Sequence, residues 1–329
     1  MKKFKNGVAW LQKKIKNFSE LEGYYICQRA RAKYYIIIRP EGGAGFFSNY
    51  MWVLGHVVLA RKLGYIPVVD MKNYPTLYSE EIMVNGTNNA WNYYFQNIDD
   101  IALDEIYRRG KYVLGKDKYL TKYAEKYCMP KYRFPTEKTI HYYTPVIDKN
   151  MQLREELQIE YEDAWKKMIG EKDCVLGIHI RGTDMKNQLG HPVPAATQTY
   201  LEQTFEVLGY HPEITGIFLA TDEENVKQIY EKEFCNAQWT LFMNDVFRVW
   251  DNGEKRKIGV HETRVEQPRK FHKYLLGKEV LQDALFLSKC DYLICGHSNV
   301  SNVVLMWNRN QYKQVVCVEN DRDGEITEI

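Results

Sequence analysis

The sequence predicts a mixed α/β chain made of two Rossmann-like halves that meet near residue 165. Three observations predict it. Short apolar runs bounded by turn residues read as strands at 34–40 and 66–70, and again at 174–180, 214–220, 237–243, 291–295 and 314–318. Helical patterns separate them at 46–64, 151–170, 197–208, 223–233, 270–290 and 299–308. Strands and helices that alternate in this way imply parallel sheets with helices on both faces. The 329 residues suffice for two domains of ordinary size, assigned here to 1–165 and 166–329.

The elements run in order. Residues 1–20 hold six lysines and one acid, with Phe4, Val8, Leu11, Ile15 and Phe18 as an apolar stripe. That is an amphipathic helix, either docked on its own domain or lying at an anionic membrane surface. "YYIIIRP" (34–40) is the first strand. Gly42, Gly43 and Gly45 form a turn, and "FFSNYMWVLGHVVLARKLG" runs on as a helix that stops at Gly64. "IPVVD" (66–70) completes a β-loop-α-β unit. Residues 101–150 carry eight tyrosines, eight lysines and three arginines against six acids. They read either as a helical insertion with a solvated face or as a basic surface for a sugar or lipid-linked acceptor. "MQLREELQIEYEDAWKKMIG" (151–170) is an amphipathic helix that leads into the second half.

Several functional classes are excluded. A net charge of +2 argues against bulk nucleic-acid binding. No apolar run approaches the ~20 residues of a membrane span, and the first residues do not form a secretory signal. Seven cysteines, an odd number without a CxxC pair, speak against a disulfide framework or a zinc site. A reducing cytoplasm is the expected compartment, with peripheral contact at the inner face of the membrane left open through residues 1–20.

The second half carries polar groups where a ligand is expected. Ligands of such sheets bind at the C-terminal ends of the strands. Arg181 sits at that end of "LGIHI", "TDE" (221–223) follows "GIFLA", and "GHSNVSN" (296–302) follows "DYLIC". A guanidinium keeps its charge and needs an anionic partner when buried. The helix opening at 298 offers unpaired backbone N–H groups and a favourable dipole, with Ser298, Asn299 and Ser301 around its first turn. Simple N-capping by Ser298 or Asn299 is compatible with that. Together these groups point to phosphate.

These segments resemble a family. "GIHIRGTD", "FLATDE" and "DALFLSKCDYLICGHSN" look like the three motifs shared by α1,6-fucosyltransferases, Nod-factor fucosyltransferases and protein O-fucosyltransferases. The loop with Gly43, Gly45 and Asn49 is similar to the "GG-x-G-N-Q" loop of α1,2-fucosyltransferases. The resemblance covers about residues 40–66 and 174–305. It implies a GT-B fold, two Rossmann-like domains facing each other across a cleft. The C-terminal domain would bind GDP-fucose and the N-terminal one would take the glycan or lipid-linked acceptor. Arg181 would hold the β-phosphate, His179 and Asp283 would face the guanine or its ribose, and Ser298 and Asn299 would bind phosphate. Thr183 and Ser301 belong to the same donor set. Gly43, Gly45 and Asn49 would close the donor site. Inversion at the anomeric carbon is expected, with no cofactor besides the donor.

Charge that builds on departing GDP can be stabilised by a fixed arginine and a helix N-terminus, so no metal is required. A general base must take the acceptor proton. Asp184, Asp222, Glu223, Glu41 and His191 are the candidates. The α1,6 enzymes carry a glutamate a few residues after the Thr-Asp pair, and "MKNQLGH" has none. Their second arginine is replaced by Gly182. Another GDP-sugar is therefore an open alternative, and the acceptor is expected to differ from theirs. The natural reading is a bacterial cytoplasmic enzyme that builds a surface glycan.

Two further readings compete. "GGAGFFS" with Asp70 at the end of the next strand can be fitted to an NAD-dependent dehydrogenase fingerprint, but Arg39, Pro40 and Glu41 intervene before the glycines. A non-catalytic nucleotide- or glycan-binding protein is the alternative outside the enzymes.

Overall fold

The computed structural model describes residues 32–40, 44–99, 101–116, 118–128, 133–170, 174–182, 193–248 and 269–320. The amphipathic stripe of residues 1–20 lies outside them.

The first half holds a three-stranded parallel sheet in the order β2-β1-β3, with β1 at Tyr34–Ile37, β2 at Ile66–Val69 and β3 at Tyr112–Leu114. Helix α1 (Phe46–Lys62) crosses from β1 to β2. The central strand is buried on both faces, which is why it reads as an unbroken apolar run. Tyr34 and Ile36 pack on one side with Ile106, while Tyr35 and Ile37 face α1 in the main core. Gly64 takes a φ of 79°, the left-handed conformation that ends a helix without a Cβ penalty.

Residues 101–150 are partly a strand. They contain helix α2 (Leu103–Arg109), then β3, then α3 (Lys118–Glu125) and α4 (Glu137–Asn150). Three residues are too few for a periodicity to show, so β3 does not declare itself in the sequence. Gly115, directly after the strand, lets it sit this close to its neighbour. A Cβ on Gly115 would come within 3.0 Å of the Tyr35 ring and 3.1 Å of the Ile36 carbonyl, so a larger residue would crowd β1 here.

Helix α5 (Glu155–Met168) leads to the second sheet. This sheet is five-stranded and parallel, in the order β6-β5-β4-β7-β8. Its strands are β4 (Val175–Ile180), β5 (Gly216–Thr221), β6 (Thr240–Phe242), β7 (Tyr292–Gly296) and β8 (Gln314–Val318). Helices α6 (Thr197–Tyr210), α7 (Glu224–Phe234), α8 (His272–Lys289) and α9 (Asn299–Asn308) connect them. The expected α/β alternation with parallel sheets is what the chain forms.

The two sheets share one apolar core. It runs from Tyr35, Phe46 and Tyr50 through Phe286, Leu293 and Met306. The Tyr94 hydroxyl donates to the Tyr274 carbonyl at 2.9 Å, and the Trp307 indole donates to the Tyr50 hydroxyl at 3.1 Å. Trp165 of α5 packs edge-on against Phe286 of α8 at 5.2 Å. A Cβ on Gly277 would lie 2.2 Å from the Tyr94 hydroxyl and 3.1 Å from Phe46, so the first turns of α8 rest on the start of α1. Helix α8 runs back to the start of β7, so those turns lie at the C-terminal edge of the second sheet. The glycine-loop end of the first half therefore adjoins the edge where Arg181 sits. Among the described residues, no helix is long and apolar enough to cross a membrane.

Candidate functional site

The site is built at three neighbouring strand ends. β4 lies between β5 and β7. Arg181 follows β4, Asp222 follows β5, and His297 and Ser298 follow β7. Three separate sequence segments thus meet on one edge, as the sequence expects of them.

Arg181 already holds an anion. Its Nη1 donates to Asp222 Oδ2 at 2.6 Å, and the Gly182 amide donates to Asp222 Oδ1 at 3.3 Å. Both side chains keep some exposure, 27% for Arg181 and 17% for Asp222.

Glu223 is different. It is 2% exposed and occupies the N-cap position of α7. Its carboxylate lies over Gly182, where an added Cβ would stand 2.0 Å from Oε1. The space a side chain at 182 would take is occupied by Glu223.

His179 is the buried centre of the site. It is 6% exposed, and its Nδ1 lies 3.0 Å from the Ser301 hydroxyl. Burial, with the nearby Arg181 charge, pushes its pKa down to about 4, so the imidazole is neutral at physiological pH. Ser301 donates to the Gly296 carbonyl at 2.7 Å and lies 3.0 Å from the Ser298 hydroxyl. Ser298 caps α9 by accepting from the Ser301 amide at 2.9 Å. Its role as N-cap is therefore real. Asn299, half-buried, is the first residue of that helix.

Asp283 reaches the edge from α8. It is 8% exposed and accepts from Asn244 Nδ2 at 2.7 Å. Burial pushes its carboxyl up to about 7, and Asp222 and Glu279 nearby add to the rise. Asn244 also meets Arg248, whose Nη2 donates to the Asn244 carbonyl at 2.8 Å. Sequence reasoning missed Asn244 and Arg248. The signal was present, because "NDVFR" directly follows the strand at 237–243, a fourth strand end carrying polar groups. His297 was missed too. It stacks on Phe134 at 4.1 Å and pairs with Glu319 at 2.9 Å, which ties the loop after β7 to the segment before α4.

In the first half, Gly45 holds the N-cap position of α1. Asn49 is 4% exposed and donates to the Ala44 carbonyl at 3.2 Å, bracing the loop from behind. Gly43, Thr183, Asp184, Glu41 and His191 lie outside the described residues. Asp70, the acid of the dehydrogenase reading, is fully buried and accepts from the Lys72 and Asn73 amides, the Asn73 side chain and the Tyr107 hydroxyl. Its own loop consumes the oxygens that a ribose would need.

No protein-family model and no curated protein matches the chain. Solved structures do align with it. NodZ α1,6-fucosyltransferase co-crystallized with GDP is 13% identical over 86% of this chain and 94% of that one, with a TM-score of 0.45. Fucosyltransferase NodZ from Bradyrhizobium is 13% identical over 83% and 92%, with a TM-score of 0.45. POFUT1 in complex with GDP-fucose is 9% identical over 89% and 98%, with a TM-score of 0.46. Likeness at this distance transfers no residue's role.

Proposed function

We propose that the chain is a glycosyltransferase of GT-B architecture, an inverting and metal-independent fucosyltransferase with GDP-fucose as donor. One observation carries the reading. Arg181, the Ser298-capped start of α9 and the neutral His179 between them converge on a single sheet edge, where a departing diphosphate would need them. Two of the three motifs that resemble fucosyltransferases supply these residues, and the third supplies Asp222, the partner of Arg181.

The chemistry is a matter of charge. When the sugar–phosphate bond breaks, negative charge builds on GDP and positive charge on the ring. Arg181 and the N–H groups of the first turn of α9 face the growing negative charge, already oriented, and so lower the barrier. Asp222 holds the guanidinium in place before the donor arrives. The diphosphate then shares or displaces that carboxylate. His179 is uncharged and fixed by Ser301, so it offers a hydrogen bond without a competing charge. Asp283, hydrogen-bonded to Asn244, would recognise the nucleoside. The acceptor proton goes to one of Asp184, Asp222, Glu223, Glu41 or His191.

A thermal-shift screen with GDP, UDP, dTDP and NAD tests the donor. A ligand at ~100 times its dissociation constant adds about 2.7 kcal/mol to the folded state. GDP alone is expected to raise the melting temperature. A shift with NAD alone, or with no nucleotide, overturns the reading.

A further inference from the structure

Cys295 and Cys317 are direct neighbours on adjacent strands. They are register partners in the parallel ladder of β7 and β8. Paired strands lie ~4.8 Å apart, and their partnered side chains share a face. That spacing falls within the ~4.4–6.8 Å between Cα atoms that a disulfide spans. Cys295 is also the register partner of His179 on β4, so it stands between the edge strand and the site. Both cysteines are free in this structure.

The two thiols differ in character. Cys317 is exposed on the edge strand, while Cys295 is fully buried beneath the loop that carries His297 and Ser298. The hydrogen bond from Cys295 lowers the pKa of Cys317, against the opposing effects of its partial burial and Glu319. Cys295 is pushed well up by that same pairing and by burial. The exposed Cys317 thiol meets an oxidant first, and Cys295, its register partner, is the neighbouring sulfur that closes on it.

We propose that Cys317 is an oxidation site whose product is a Cys317–Cys295 disulfide, and that this bond loosens the anion-binding edge. Its effect on nucleotide binding rests on the function proposed above. With a peroxide as oxidant, the Cys317 thiolate attacks one peroxide oxygen. An S–O bond forms, the O–O bond breaks, and the leaving hydroxide takes a proton to become water. The Cys295 sulfur then attacks the Cys317 sulfenic acid. An S–S bond forms, the S–O bond breaks, and the hydroxide leaves as water with the Cys295 proton. Two thiols lose two electrons in all, and one peroxide becomes two waters.

The link reaches the site through β7 itself. Cys295 is the register partner of His179, and the next residue, Gly296, offers the carbonyl to which Ser301 donates, while Ser301 also meets the Ser298 hydroxyl and His179. Drawing Cys295 toward β8 shifts this strand end and with it the Ser301 contacts at the cap of α9.

The experiment treats the reduced full chain with a small excess of hydrogen peroxide. Peptides are mapped by mass spectrometry and GDP affinity is measured before and after dithiothreitol. The expected result is the loss of two of the seven thiols, a peptide linking 295 to 317, and a GDP affinity that falls about tenfold and returns on reduction. Cys317→Ser should abolish both changes, and Cys295→Ala should leave Cys317 as an unresolved sulfenic acid that a dimedone probe traps. A Cys317 that oxidises without forming the linked peptide overturns the proposal, as does a linked protein with unchanged GDP affinity. The bond is mapped without ligand. Reduced protein that binds no GDP would therefore remove the nucleotide reading, while the mapped bond would still support the oxidation site.

Discussion

Two buried carboxylates divide the molecule. Asp70, at the end of β2, is completed by its own chain through two amides, one side-chain amide and the Tyr107 hydroxyl. Asp283, on α8 beside Asn244 at the end of β6, accepts one hydrogen bond among the described residues, from Asn244, and burial pushes it up to about 7. A carboxylate with four donors is part of the fold. One that is equally buried but left with one donor costs stability in its charged form, and that cost is offset when a ligand brings a donor. Among the described residues, the first sheet edge has its buried acid fully paired by neighbouring groups, while the second keeps a buried acid with one donor.

The largest test of this contrast is Arg181→Ala. Removing a donor aimed at transition-state charge typically lowers turnover ~100- to 1000-fold. GDP-fucose consumption should fall by that amount, and the GDP thermal shift should vanish. Next is Asp70→Asn, which removes an acceptor from a fully paired buried cluster. Urea unfolding should show a loss of about 2–3 kcal/mol, with GDP affinity unchanged. A variant that keeps its stability but loses GDP would put the dehydrogenase-type acid back in the site and break the comparison.

The pH dependence sharpens it. The folded-state pKa of Asp283 lies above its unfolded value, so the folded state binds the extra proton between pH 4 and pH 7. Stability from this group is full below about pH 4 and is lost as pH rises through about 7. His179 acts oppositely, since its pKa is depressed to about 4 and its contribution is lost as pH falls from about 6.5. Subtracting the unfolding free energies of Asp283→Asn from those of wild type isolates the first effect. The wild type should lose ground with rising pH, by at most about 1.4 kcal/mol per pH unit, and the difference should level off above pH 7. A flat difference throughout would mean that Asp283 is not strained by burial. The smallest effect expected is Ser298→Ala, a loss of about 1 kcal/mol from the missing N-cap, with weaker GDP binding.

Much of this is legible in the sequence, for physical reasons. All seven expected strands form. Four of them (β1, β4, β5 and β7) are fully buried and so are continuous apolar runs, and distinct turn residues bound the rest. The convergence of Arg181, Asp222 and Ser298 can be expected because ligand edges in such sheets gather polar residues after apolar runs. Other features are not legible. Strand β3 is shorter than any periodicity, and Gly115 reveals its purpose only beside Tyr35. The sequence alone suggests an outside anion for Arg181, whereas Asp222, 41 residues away, already partners it. The contact of Glu223 with Gly182 is likewise a matter of space, which no spacing in the chain records. Asn244 needed only the rule already applied to the other strand ends.

The central claim is that a diphosphate binds where β4, β5 and β7 end. A crystal of the protein soaked with GDP tests it most directly. The account predicts phosphate oxygens within hydrogen-bonding distance of the Arg181 guanidinium and the first turn of α9, with the Asp222 pair opened or shared. GDP bound elsewhere, with the Arg181–Asp222 pair untouched, would contradict it.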